Sequence, residues 1–295
     1  MFQKFVKLRK NIEKLIEEID ICISRKLVYE ASEKLELIKC HLIDLAPLTV
    51  NEVQVTASKR LSTDCMRLEK RIGTILSKRE AGKKQDGNIA FKCNWNDRHY
   101  KAPCSNDTYR YNLSEGRFWC RHPLSKCRTF PNEVTLKDHP CYESIALKEM
   151  YFGAGWDLSD DGIKYRHIMH ARAGRLALLT TRIPGAMEEE RIIVGLFFID
   201  RVIDDPGTET KIFGDKEKAL EIDYEHTKIL FWDYYRNPDA KDEIRWGMGL
   251  YRYVANTSIL NLLKDVKNRC ILSDRDSVMI GDAVRLYEKM CQTAR

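Results

Sequence analysis

The sequence predicts an α+β protein. An N-terminal antiparallel helical bundle or coiled coil comes first, then a zinc-stapled module, then a small C-terminal β-barrel with flanking helices. Three observations predict it. Apolar residues recur three and four apart through the first 80 positions, cysteines and aromatics crowd Cys93 to Cys127, and short β-branched runs separated by turn clusters follow. The expected domains are residues 1–80 (helical, for docking or dimerisation), 81–88 (linker), 89–141 (Cys-rich module) and 142–295 (mixed barrel domain).

The helical part rests on three apolar stripes. Phe5, Leu8, Ile12, Leu15, Ile19 and Cys22 form the first; Ala31, Leu35, Ile38, Leu42 and Leu45 the second; Leu61, Cys65, Leu68, Ile72 and Ile75 the third. Each gives a charged helix one apolar face. Pro47 ends the second helix and Thr49 to Asn51 can start the third. Three helices have little interior, so leftover apolar surface invites a partner protein or a homodimer. Lys59, Arg60, Arg67, Lys70, Arg71, Lys78 and Arg79, followed by Lys83 and Lys84, make a basic face interleaved with Asp64, Glu69 and Glu80, which fits solvated helix surface or phosphate contact. Ala81 to Asn88 is Gly-bearing and polar, which marks a linker.

The stretch from Cys93 to Cys127 has little apolar periodicity and cannot bury enough aliphatic surface to hold itself together. Cys93, Cys104, Cys120 and Cys127, spaced C-x10-C-x15-C-x6-C, suit a tetrahedral thiolate zinc site, with Trp95, Phe118 and Trp119 packed beside it. His99, His122, His139 and Cys141 are close enough to replace one ligand. Four unlinked buried cysteines are the alternative, because free Cys is a frequent core residue.

Beyond Cys141, a short helix is expected from Tyr142 to Tyr151, then turn chemistry at Asp157 to Gly162. Strands are expected at Leu176–Thr181, at Arg191–Val202 with Gly195 marking a bulge or close approach, at Ala219–Asp223 and at Lys228–Tyr235. Ile259–Val266 and Val278–Met290 read as helices. Gly174, Leu178, Ile193, Val194, Gly195 and the Asp204–Gly207 loop resemble the middle of PUA-like domains, particularly the EVE and ASCH branches. The resemblance implies a small β-barrel that binds nucleic acid, and EVE-like members take a modified base into an aromatic cage. The Pro184–Glu190 loop and the Cys-rich module depart from that pattern. No cage residue matches one for one, so the resemblance carries over no binding residue.

The residues themselves suggest where a base would sit. Trp156, Trp232, Tyr235 and Trp246 supply aromatic faces, and Arg182, Arg191 and Arg245 supply phosphate contacts. Alternate rings of Phe231–Tyr235 also fit the core face of a strand. His167 and His170 stand three apart, with no acidic or thiolate partner near them in sequence, and read as ordinary surface or pocket histidines. Glu188, Glu189 and Glu190 read as a solvated loop. Nucleophile-elbow, Walker, zincin and deaminase motifs are absent, so catalysis is not expected. Net charge is +6, from 50 Lys+Arg against 44 Asp+Glu, which permits a nucleic-acid partner without requiring one.

Lys4, Lys7, Arg9 and Lys10 interrupt any apolar leader, and the longest apolar run, Ile192–Ile199, is strand-sized. A cytoplasmic protein with no membrane contact is therefore expected, its ten cysteines reduced or metal-bound. The functional expectation is a nucleic-acid recognition component, for DNA or RNA, with a partner-docking arm. A protein-interaction adaptor and a metal-dependent nuclease using the acidic loop are the alternatives.

Overall fold

The structure, a computed structural model, describes residues 2–80, 86–115, 118–122, 125–129, 141–159, 162–237, 240–247 and 249–293. The chain forms two compact units. One comprises Met1–Lys83, Tyr111–Glu133 and Arg236–Gly249, and the other Lys84–Arg110, Val134–Tyr235 and Leu250–Arg295. The architecture is α+β: an N-terminal three-helix bundle, a mixed six-stranded curled half-barrel sheet and a C-terminal helix pair. Most of the expected linker (81–85) and His139 lie outside the described residues, as do the side chains of Phe118 and Trp119. No helix of the described residues is long and apolar enough to cross a membrane.

In the helical unit, α1 (Phe2–Ser24), α2 (Val28–Leu45) and α3 (Glu52–Glu80) bury the three apolar stripes against one another. Ile12, Ile19, Leu35, Ile38 and Ile72 are fully enclosed. Lys26, with φ 64°, ends α1 in a left-handed turn, and the Leu27 N–H donates to Cys22 O at 2.9 Å. Pro47 sits in a 3₁₀ turn, Ala46–Leu48, that stops α2. Asn51 Oδ1 then accepts the Gln54 N–H at 2.9 Å, while Gln54 Oε1 accepts the Val50 N–H. This reciprocal pair satisfies donors that α3 would otherwise leave bare. A late segment completes the unit: Glu243 Oε1 accepts the Glu30 N–H in the first turn of α2 at 2.7 Å. Two short helices, α5 (Phe118–Arg121) and α6 (Lys126–Thr129), also belong to it, and Arg121 pairs with Asp44 of α2 at 2.9 Å. Between them and the sheet unit in sequence runs α4 (Asn106–Ser114).

In the sheet unit the strands are β1 (Asn88–Lys92), β2 (Tyr151–Gly153), β5 (Leu176–Thr181), β6 (Ile192–Ile203), β7 (Lys211–Glu221) and β8 (Tyr251–Val254). Their spatial order is β2-β7-β6-β5-β1-β8. Only β1 and β5 run parallel; the other neighbours are antiparallel. A separate hairpin pairs β3 (Trp156–Ser159) with β4 (Gly162–Tyr165). Every residue of β5 and the first eight of β6 are buried, as expected for strands covered on both faces. One face packs Ile89, Phe91, Leu179, Phe197 and Phe152 into the half-barrel. On the other lie α8 (Asn256–Arg269) and α9 (Asp274–Thr293). From Arg275, which donates to the carbonyls of Lys216 and Glu217, α9 reaches to Tyr287 at β1 and β5.

Several elements differ from the sequence expectation. The strand expected at Ala219–Asp223 is the end of a longer one, β7, which starts at Lys211 and stops at Glu221, and Asp157–Ser159, expected as turn, lies in β3. Tyr142–Tyr151 is not one helix. A 3₁₀ turn (Tyr142–Ile145) leads into a single helical turn, α7 (Ala146–Glu149), which Met150 ends in the left-handed region. Lys228–Tyr235 is not a strand either. It makes one bridge, Leu230 to Ile192, and then winds into a 3₁₀ turn over Phe231–Asp233. Gly195 does lie beside a bulge, because Leu179 pairs with Gly195 and Thr180 with Ile193, leaving Val194 as the extra residue. A side chain at Gly195 would also run into Leu147.

Asn88 fastens the sheet to its helices. Its Nδ2 donates to Val254 O and to Asn256 Oδ1, and its Oδ1 accepts from Tyr287 Oη and the Leu176 N–H. Replacing Asn88 with Ala strands several buried polar groups at once. A loss of about 2–4 kcal/mol is expected. In urea unfolding, the midpoint should fall with an unchanged m-value.

Candidate functional site

The residues expected to bind nucleic acid are divided between the two units. Trp246 and Arg245 belong to the helical unit. Trp246 is 0 % exposed and its indole donates to Gly249 O. Arg245 pairs with Glu33 of α2 at 3.0 Å. Trp156 lies in the β3–β4 hairpin opposite Tyr165, half-buried.

Three others, Arg182, Arg191 and Trp232, converge in the sheet unit on one carboxylate, and Tyr235 packs against the last of them. Glu188, read from sequence as part of a solvated loop, lies in a 3₁₀ turn (Glu188–Glu190) and is 11 % exposed. Arg191 holds it with both arms, Nε to Oε1 at 2.6 Å and a terminal nitrogen to Oε2 at 2.9 Å. The Trp232 indole donates to Oε1 at 3.3 Å, and Arg182 Nε lies 3.5 Å from Oε2. Tyr235 stacks on Phe231 and meets the edge of Trp232. Arg191 is 2 % exposed and Trp232 3 % exposed. As packed, these two side chains turn to Glu188 rather than to solvent. Glu190 is also engaged, accepting the Met187 N–H at 2.8 Å. A Glu three residues before an Arg is a spacing that could have revealed the pair.

Burial by itself would raise the Glu188 pKa, but Arg191, with help from Lys92 and Arg182, outweighs it and holds the carboxyl at about 2. The folded-state pKa is depressed, so the pair stabilises fully above the usual carboxylate range and is lost as pH falls through about 2. Glu188→Gln removes the carboxylate that neutralises the buried Arg191 guanidinium, and should cost about 3–5 kcal/mol at neutral pH. The gap between wild type and variant should narrow as pH falls below about 4.5. Urea unfolding at a series of pH values measures both.

A second cluster lies where the ends of β1, β5 and β7 meet. Cys93 N–H donates to Thr180 O, and Thr181 Oγ1 donates to Cys93 O, which sets the start of the 93–101 loop beside Arg182. The loop then turns through two successive non-glycine residues in the left-handed region, His99 (φ 54°) and Tyr100 (φ 58°). Such conformations cost free energy and persist where the surroundings over-determine them. Here Asn96 Oδ1 takes the N–H groups of Arg98 and Tyr100, and Asn96 Nδ2 donates to Ala102 O and Ser144 O. Asn94 is bound through its N–H and amide to Glu143. The frame sets the His99 ring on Tyr224, with centroids 4.9 Å apart, and the Trp95 ring edge-on to Tyr224 at 5.5 Å. His99 Nδ1 lies 2.9 Å from Glu221, which also binds Lys101. Trp95 and His99 are half-buried, and Arg98 and Lys101 are exposed. The signal in the sequence was Trp95 between two asparagines just after a strand.

His167 gains an acidic partner that sequence proximity concealed. Asp204, 37 positions on, accepts at 2.7 Å from His167 Nδ1 and also receives the Thr210 hydroxyl. The cysteine placements are divided. Cys93 and Cys104 fall in the sheet unit, Cys120 and Cys127 in the helical unit. Cys93 Sγ faces Phe91 O inside the sheet core, and Cys104 Sγ faces Trp95 O. Among the described residues no group of three or more His, Cys, Asp or Glu side chains is arranged to hold a metal ion. No family model, curated protein or solved structure matches the chain.

Proposed function

We propose that the protein is a nucleic-acid recognition component, and that the sheet unit takes an unpaired or modified base at the Trp95–His99–Tyr224 cluster. One observation carries the reading. Half-buried aromatic rings stand on a backbone held in a strained conformation by buried amides, with exposed Arg98 and Lys101 beside them. An aromatic face stacks any base, and side-chain cations contact the phosphates without reading sequence. A rigid platform also lowers the ordering cost of binding. The resemblance to PUA-like domains supports the same reading. The nuclease alternative draws no support from Glu188, which is engaged within the protein.

Anisotropy titrations with single-stranded, duplex and base-modified oligonucleotides at two salt concentrations test it. Trp95→Ala should weaken binding by about 1–3 kcal/mol, roughly five- to a hundred-fold. Arg98→Ala should weaken all sequences alike and flatten the salt dependence. Wild-type protein that ignores every oligonucleotide at low salt sinks the proposal.

The adaptor reading then takes its place. It draws on an open groove of about 460 Å³ in the helical unit, lined by Arg9 and Glu13 of α1 and by Val53, Ala57 and Arg60 of α3. Val53 is 78 % exposed there. A partner protein or a second copy of the chain would dock on it through the N-terminal helices.

Zinc at Cys93, Cys104, Cys120 and Cys127 stays a proposal from spacing, and no step above passes through it. Elemental analysis of the purified full chain decides it. About one equivalent of zinc per chain is expected if the spacing is functional, and its absence ends the idea.

A further inference from the structure

A cleft of about 270 Å³ opens in the sheet unit where the Lys228–Asp233 segment runs beside the start of β6. Its floor is aliphatic, made of Ile183, Ile192 and Leu230. Ala186 and four charged residues, Lys228, Arg269, Glu190 and Asp233, line the rest. The volume suits a small ligand.

Backbone pairing orders these charges. Ile193 N–H donates to Ile229 O at 2.9 Å, Leu230 bridges Ile192, and Phe231 N–H donates to Arg191 O at 2.8 Å. The two stretches therefore run antiparallel. Lys228 falls towards Val194, and Arg269 joins it there by donating to Lys228 O at 3.1 Å. Asp233 and Glu190 fall at the opposite end, around Arg191. The extended run from Lys228 to Phe231 separates the two ends by about 10 Å. Neither Lys228 nor Asp233 has an ion pair among the described residues, although they line the same cleft. The cleft is thus dipolar, with cations at one end, carboxylates at the other and an apolar floor between.

We propose that this cleft binds a short peptide zwitterion of two or three residues. Its C-terminal carboxylate would meet Lys228 and Arg269, its ammonium would meet Glu190 and Asp233, and one aliphatic side chain would cover the floor. An extended tripeptide spans about 10 Å, matching the separation of the charged ends. Ligand charges held against a low-dielectric wall interact more strongly than in bulk water, and charge-assisted hydrogen bonds fix the direction of binding. The site uses none of the residues assigned to base recognition, so the two proposals stand or fall separately.

Calorimetric titration of the full chain with Ala-Leu-Ala, its N-acetyl form and its C-terminal amide tests the inference. The free tripeptide should bind saturably, and about tenfold or more tighter than either blocked form. Lys228→Ala should abolish the preference over the amide, and Asp233→Ala the preference over the acetylated form. Both side chains are exposed, so both variants should keep the wild-type unfolding midpoint. The proposal is overturned by no saturable binding up to about 10 mM, well above the range of specific sites. Equal affinity for the three peptides, or wild-type behaviour of both variants, overturns it as well.

Discussion

One buried amide sets the terms for the sheet unit. Asn88 has no water to bond with, so each of its polar atoms must find protein. It does so on four sides, at Val254, Asn256, Leu176 and Tyr287. Those partners belong to β8, α8, β5 and α9, which are distant from β1 in sequence. A network of this kind rewards one register and penalises its neighbours, because a slipped strand would leave the amide unsatisfied. The parallel pairing of β1 with β5 and the antiparallel pairing with β8 both start at this residue's neighbourhood. The position of the 93–101 loop at the far end of β1 follows from that register.

Sheet and loop then divide the labour between them. The central strand β5 and the first eight residues of β6 are covered on both faces, so they hold position but offer no chemistry. Polar and aromatic side chains gather at the strand ends, where the chain is released from the ladder. Two arrangements result within one unit. Around Glu188, charges and rings are turned inward and spent on each other. Around Tyr224, rings stay half-buried beside exposed cations. The same residue types are thus enclosed in one place and left half-buried at the surface in the other.

Much of the fold was legible because it rests on local periodicity. Ile12, Ile38 and Leu68 sit where a 3.6-residue period puts them, and Leu176–Thr181 is a strand residue for residue. What was not legible depends on distant partners. Trp246 looked like part of an aromatic pocket, but its neighbour Arg245 binds Glu33, 212 positions away. Lys228–Tyr235 is rich in strand formers, yet tertiary contacts allow it one bridge before it turns. Three consecutive glutamates suggested solvent, and only the fold shows that Arg191 draws the first of them inside. The tie between His167 and Asp204 was hidden for the same reason.

The threading of the chain has a consequence for its synthesis. The polypeptide contributes to the helical unit three times, the last time with Arg236–Gly249. Until that stretch leaves the ribosome, the first turn of α2 lacks Glu243 and the unit lacks Trp246. At ordinary elongation rates of about 5–20 residues per second, the first helices therefore wait on the order of ten seconds or more for their closing piece. The helical unit, whose helices α1 to α3 precede every strand, is thus completed only late. A nascent chain stalled before Arg236 would present a bundle with an open side, the state in which chaperones rather than native contacts must guard apolar surface.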